Sequence, residues 1–246
     1  MHSILSLTLT AALLACTATA QGPGDTPGPA PTLATGSPSE QAAPPGVGVL
    51  PFTNGGSYGQ DAEDFAALQV GLQQILITEL SQNSEMRVVD RTQLRELMAE
   101  QEIPMDRVDA ETAVRLGKIV GARYMVMGGF VDWYGDFRLD ARIVDTETTE
   151  VLQADRIQGS RAGMLTMVVD LAARITESAD LPPLPEPVRE SRQSSEIPPE
   201  AVTLFSHAMV SRDLGMEDES EAMLRQLTEE FPEFVQAREA LEQGAG

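Results

Sequence analysis

Cysteine is nearly missing from this sequence: Cys16 is the only one in 246 residues, so no internal disulfide can form. Histidine is almost as scarce, with His2 and His207 alone. A structural zinc site wants four N/S ligands and a catalytic one usually three, so neither zinc nor haem is expected here, nor any other cofactor. Cations are short as well, at 17 Lys+Arg against 38 Asp+Glu and a net charge of −21. That field repels a phosphate backbone and excludes nucleic acid as the main partner. Long hydrophobic runs are absent apart from Ile4 to Leu14, which is too short to span a bilayer but fits the apolar region of a signal peptide. What remains, 42% hydrophobic residues, is enough to bury a core.

The signal-like run ends in Leu13-Leu14-Ala15-Cys16. This resembles the lipobox of bacterial lipoproteins, where cleavage before the cysteine leaves it N-terminal and acylated. Residues 1–15 are then a lipoprotein-type signal peptide, and Cys16 is the lipidation site. The n-region has no Lys or Arg, and Ala18-Thr19-Ala20 offers an ordinary secretion site that would discard the cysteine. The lipoprotein reading is preferred because the sole cysteine stands where a lipobox needs it. By resemblance to enterobacterial sorting, Thr17, not being Asp, directs the anchor to the outer membrane. From there to residue 45 the chain is rich in proline, including Pro23, Pro27, Pro29, Pro31, Pro38, Pro44 and Pro45. Such a stretch cannot bury enough apolar surface to offset its ordering entropy. Residues 16–45 read as a disordered tether.

A folded module is expected over 46–180. Val47 to Phe52 is a β-branched, uncharged run between Pro-Pro-Gly and Thr-Asn-Gly-Gly, which reads as a buried strand. Phe65, Leu68, Leu72, Ile75, Leu76 and Leu80 recur at helical spacing and predict one amphipathic helix over 63–81. Met86 to Val89 is a second strand, followed by a helix opened by Asp90 with Gln93 three residues on. Asp109 caps a further helix that Gly121 ends. Residues 123–131, 137–144 and 150–157 predict three strands of an antiparallel meander. In the middle one Phe137, Leu139, Ala141 and Ile143 alternate with Arg138, Asp140 and Arg142, a buried face against a wet one. Met164, Leu165, Val168, Leu171 and Ile175 make a closing helix. The fold class is α/β (α+β), in the order β-α-β-α-α-β-β-β-α.

The series Val-Leu-Pro-Phe (49–52), Val-Val-Asp-Arg (88–91), Leu-Gly-Lys-Ile-Val-Gly-Ala-Arg-Tyr-Met-Val-Met-Gly (116–128) and Arg-Ile-Val-Asp-Thr-Glu-Thr (142–148) resembles the CsgG superfamily of envelope proteins. That superfamily includes the curli assembly/transport channel subunit, FlgO-like and HfaB-like lipoproteins, and the LpoB-type activators of penicillin-binding proteins. The family often has Thr-Gly where this chain has Thr148-Thr149, so a residue free to adopt positive φ is missing from that turn. The resemblance implies a non-catalytic role through protein partners. A channel subunit needs added transmembrane hairpins of about 9–11 residues per strand. The links Asp132 to Asp136 and Asp145 to Thr149 leave no room for them, so an LpoB-like adaptor plan is expected. The alternative is an accessory subunit of a ring-forming curli-type secretion complex. The expected partners are envelope proteins of the secretion or peptidoglycan-synthesis machinery, with self-association also open.

Residues 181–199, with Pro182, Pro183, Pro185, Pro187, Pro198 and Pro199, read as a linker between two units. Residues 200–246 resemble a tetratricopeptide-like helical hairpin through Leu204, Phe205, Ala208, Gly215, Leu224, Leu227 and Phe231, followed by a half-repeat. Arrays of such repeats need about three units, so a lone hairpin must dock on its own domain, self-associate or complete a partner.

Gly55-Gly56-Ser57-Tyr58-Gly59 matches the nucleophile elbow of hydrolases, and His207 follows in hydrolase order. An elbow needs its helix directly after the serine, whereas the apolar periodicity begins only near Phe65. The loop reading outweighs catalysis; no catalytic residue is assigned, and His207 is expected on a helix surface. Trp133 and Tyr134, at a hairpin tip, are the partner-binding candidates. The competing and weightier expectation is that they fold back over the sheet's open face.

Overall fold

The computed structural model describes residues 44–57, 61–104, 108–193 and 196–244, all within one compact unit, Ala43–Gly246. The expected signal peptide, Cys16 and nearly all of the tether lie outside the described residues.

Strands β1 (Gly46–Val49), β2 (Thr53–Asn54) and β3 (Arg87–Val88) and helices α1 (Ala62–Ser81), α2 (Arg91–Glu100) and α3 (Ala110–Val120) form the first half of the module. Strands β4 (Tyr124–Trp133), β5 (Asp136–Asp145) and β6 (Val151–Ser160), with helix α4 (Met164–Ser178), complete it. The expected order is thus present, with β2 as an additional short strand. The sheet runs β3-β1-β4-β5-β6, and β2 pairs with β4 beside β1. Strand β1 is parallel to β3 and β4, while β4, β5 and β6 form the antiparallel meander. The expected caps form: Asp90 Oδ1 accepts from the N–H groups of Thr92 and Gln93 at 2.7 and 3.3 Å. Asp109 Oδ1 accepts from Thr112 N–H at 2.8 Å, and Gly121 ends α3 at φ 67°.

The two faces of the sheet are covered unequally. One face carries the main core, where Val49, Phe52, Val126, Phe130, Phe137 and Ile143 meet side chains of α1 and α4 such as Leu72, Ile75, Val168 and Ile175. Gly128 is required there, because a Cβ on it would lie 2.5 Å from the Phe52 ring. The other face is covered at one end, where Leu94, Met98, Leu116 and Val120 of α2 and α3 pack on Leu50 and Met125.

Residues 181–199 do not behave as the linker expected between two units. Leu181, Leu184 and Ile197 are buried in the main core, and helix α5 (Glu186–Gln193) occupies the middle of the stretch. Its Arg192 is buried and pairs with the fully buried Glu79 of α1, Nε to Oε1 at 3.0 Å. Helices α6 (Pro199–Asp213), α7 (Glu217–Glu230) and α8 (Val235–Gly244) put Val202, Phe205, Leu224, Leu227 and Phe234 into the same core. Of the three fates open to the C-terminal hairpin, docking on its own domain is the one present. Helix α1 therefore has no broad solvent face. Gln73 and Gln74, off its apolar stripe, are buried and bonded to Val49 O and to Arg91 Nε at 2.7 and 3.1 Å. Ser206 of α6 sits so close to Gly71 that a Cβ there would fall 1.8 Å from its Oγ.

Candidate functional site

The β4–β5 turn has two residues, Tyr134 at φ 54° and Gly135 at φ 96°. Positive φ at both positions matches the twist of the flanking strands. Asp132, fully buried at the end of β4, accepts from Gly135 N–H at 2.9 Å and from Arg161 Nε at 2.5 Å. The Arg161 guanidinium also lies 3.6 Å from Asp61 and 5.5 Å from the centroid of the Phe65 ring. Its hydrogen bond to Asp132 pushes its pKa further up, so the guanidinium stays charged. The turn is thereby fastened to the body of the domain by a buried polar anchor.

On that fixed tip stand Trp133 and Tyr134, 57% and 78% exposed. Their rings meet edge to face at 6.2 Å. The expectation that they fold back over the sheet's open face is corrected: both rings remain largely exposed at the tip.

Beside the tip lies the end of the sheet that α2 and α3 leave bare. The pleat puts Gly129, Val131 and Trp133 of β4 on this face, with Arg138, Asp140 and Arg142 of β5 and Arg156 and Gln158 of β6. One carboxylate serves two guanidinium groups here: Asp140 accepts from Arg138 Nε at 2.8 Å and Arg156 Nε at 2.9 Å. Arg142 is exposed and, among the described residues, enters no ion pair. Where the bare face meets the α2/α3 layer there is an open groove of about 380 Å³, lined by Leu50, Pro51, Val108, Met127, Arg138 and Arg142. A chain of net charge −21 thus presents a surface where cations outnumber anions, next to apolar walls and two aromatic rings. The alternation Arg138-x-Asp140-x-Arg142 was legible as a wet face. What it did not reveal was Arg156, which joins the row only through the β5–β6 register.

The hydrolase candidates are not brought together. Ser57 Oγ accepts a hydrogen bond from Asp132 N–H at 3.1 Å. His207, expected on an open helix surface in a separate unit, is half-buried with Nε2 2.7 Å from Asp64 Oδ1. Among the described residues no cluster of three or more His, Cys, Asp or Glu could hold a metal ion. Among them, too, no helix is long and apolar enough to cross a membrane.

Residues 34–138 match the family described as curli production assembly/transport component CsgG. The chain therefore carries a CsgG-like domain, as the residues quoted from the sequence imply. In fold it is similar to the LpoB C-terminal domain from Salmonella enterica, at 14% identity over 50% of this chain and 87% of that one, with a TM-score of 0.39. It is similar as well to lipoprotein GNA1162 from Neisseria meningitidis, at 16% identity over 55% and 97%, TM-score 0.39. A third likeness is to the PelC dodecamer from Paraburkholderia phytofirmans, at 15% identity over 55% and 87%, TM-score 0.31. No curated protein matches the chain.

Proposed function

We propose that this CsgG-like chain is a non-catalytic adaptor of the bacterial envelope, held at the outer membrane by an acylated Cys16 and binding another envelope protein on its periplasmic side. The observation that carries the reading is the fastened hairpin tip, which holds Trp133 and Tyr134 exposed beside the bare, arginine-bearing end of the sheet. Rigid aromatics at low entropic cost, next to guanidinium groups, are the side chains in which interface energy concentrates. The Pro-rich tether of residues 16–45, roughly 80–100 Å if fully extended at about 3.3 Å per residue, gives the domain reach from its anchor.

The anchor is tested by Cys16→Ala. Two or more acyl chains at about 0.8 kcal/mol per buried methylene hold a lipoprotein stably, so the variant is expected in the soluble periplasmic fraction. A mature N-terminus at Gln21 in mass spectrometry would refute acylation. The adaptor role is tested by replacing Trp133 and Tyr134 together with Ala and titrating a partner captured by crosslinking at the tip. A loss of at least about 1–2 kcal/mol of affinity with an unchanged melting curve is expected. Unchanged affinity removes the tip from the interface. A large oligomer in light scattering, with no other envelope protein crosslinked, would favour the ring-subunit alternative.

A further inference from the structure

Strand β6 is the edge of the sheet, with β5 on one side and no strand on the other among the described residues. Edges are normally blunted by proline, by bulges or by shortness. Here the register slips once, near Leu152, where Ile143 pairs with Gln153 but Val144 with Val151. From Gln153 to Ser160 the ladder is regular, contains no proline, and runs for eight residues. Arg161 N–H donates to Gly135 O at 2.8 Å, which fixes the alternation of the β5–β6 ladder. Residues 155, 157 and 159 of β6 bond inward to β5, and the N–H and C=O groups of Ala154, Arg156 and Gln158 point off the edge.

We infer that this edge accepts an extended segment of a partner protein as an additional strand, with an acidic side chain opposite Arg156. The inference rests on the adaptor reading and names the partner's chemistry. A residue directly opposite Arg156 on an added strand would exchange both backbone hydrogen bonds with it and point its side chain to the same face. That face already runs Asp140 to Arg156 across the strands, paired in register and joined at 2.9 Å. The Arg156 side chain is 66% exposed and uses its Nε on Asp140, and its terminal nitrogens enter no hydrogen bond among the described residues. An acidic residue there continues the alternation of sign, whereas a basic one opposes Arg156. Val151 and Leu152, exposed at the start of the edge, supply an apolar end for the same segment.

Two other occupants fit less well. The chain's own residues 21–45 carry seven prolines and lack the N–H donors a ladder needs. A second copy adding β6 to β6 over the regular run Gln153–Ser160 must centre on residue 156 or 157, since paired residues share a face. The first sets Arg156 against Arg156, like charges directly opposite, and the second sets Ile157 against Ile157 and gives Arg156 only Gln158 to meet, with no carboxylate.

The test uses full-length protein and three capped decapeptides. One alternates Glu with Val, one Lys with Val, and one is the Glu peptide with its Glu nitrogens methylated. Fluorescence anisotropy should show the Glu peptide binding at least tenfold more tightly than either of the others. Hydrogen exchange should then be slowed at the amides of Arg156 and Gln158. Arg156→Glu should reverse the preference between Glu and Lys peptides, and Arg156→Gln, which leaves the edge uncharged at that point, should abolish it. Equal binding of Glu and Lys peptides, insensitivity to N-methylation, or protection away from β6 overturns the inference. Protection of Arg156 that rises with protein concentration in the absence of peptide does so as well, in favour of a second copy. If the Glu peptide fails while loss of Trp133 and Tyr134 still weakens the native partner, the adaptor reading stands and this one falls.

Discussion

At the scale of single residues, Thr149 shows how far one missing glycine reaches. The β5–β6 turn is built on Asp145, whose Oδ1 accepts from Glu147 and Thr148 N–H at 2.7 and 3.1 Å. Asp145 O accepts from Thr149 N–H at 2.9 Å. That geometry leaves Thr149 at φ 64°, a left-handed conformation that a β-branched residue adopts at a cost of about 1–2 kcal/mol. Thr149→Gly removes the strain but adds unfolded-state entropy of roughly 0.5–1 kcal/mol. Strain relief is the larger effect, so the variant should gain about 0.5–1 kcal/mol, read as a higher urea midpoint at unchanged m. An unchanged or lower midpoint would mean that the turn relaxes without cost. The absence of glycine was visible in the sequence. The sign of φ at Thr149 was not, because it depends on how Asp145 closes the turn.

At the scale of elements, the helix caps and the strand alternation make most of the module legible in the sequence. Asp90, Asp109 and Gly121 mark helix ends through backbone groups a few residues away, so their signals are local. Helix α5 is not legible in the sequence because the prolines on both sides of it dominate the local pattern, whereas its reason to exist is distant. Arg192 reaches Glu79, 113 positions away in sequence, and Gln236 of α8 bonds the same carboxylate. Burial pushes the Glu79 carboxyl above the ordinary glutamate range, and the Arg192 guanidinium holds it down. In Arg192→Leu that restraint is gone and the carboxyl rises further. A carboxyl whose folded pKa lies above its unfolded value contributes stability in full below the unfolded pKa, and that stability is lost as pH rises through the folded pKa. The variant should be destabilised by about 3 kcal/mol at pH 7, as for other broken buried pairs, and by clearly less near pH 4, where Glu79 is protonated folded or unfolded. Denaturant midpoints at the two pH values decide it; an equal loss at both would mean that Arg192 acts through packing alone.

At the scale of the whole molecule, the sequence suggests two units separated by prolines, and the structure has one core running through both. The difference lies in α1, whose apolar stripe accounts for one side only. Its other side looks solvated in sequence because it is polar, yet Gln73, Gln74, Thr78 and Glu79 are all buried. The ion pairs of Asp213 at the end of α6 with Arg91 and Arg95, at 2.5 and 2.8 Å, add a second tie between the halves. Removing residues 199–246 would leave Arg91 without its carboxylate and uncover α1 along the line where Gly71 meets Ser206. Losing one buried charge partner costs about 3–5 kcal/mol, and the apolar surface exposed adds to that, against a total stability of about 5–15 kcal/mol for a domain of this size. Calorimetry of the full chain should therefore show one cooperative transition for the described unit. The truncated chain should bind a hydrophobic dye at room temperature and lose its sharp melting. Two separable transitions in the full chain, or a truncated protein that melts cooperatively at an unchanged temperature, would show that the C-terminal helices fold independently, and that the shared core is an interface between two domains.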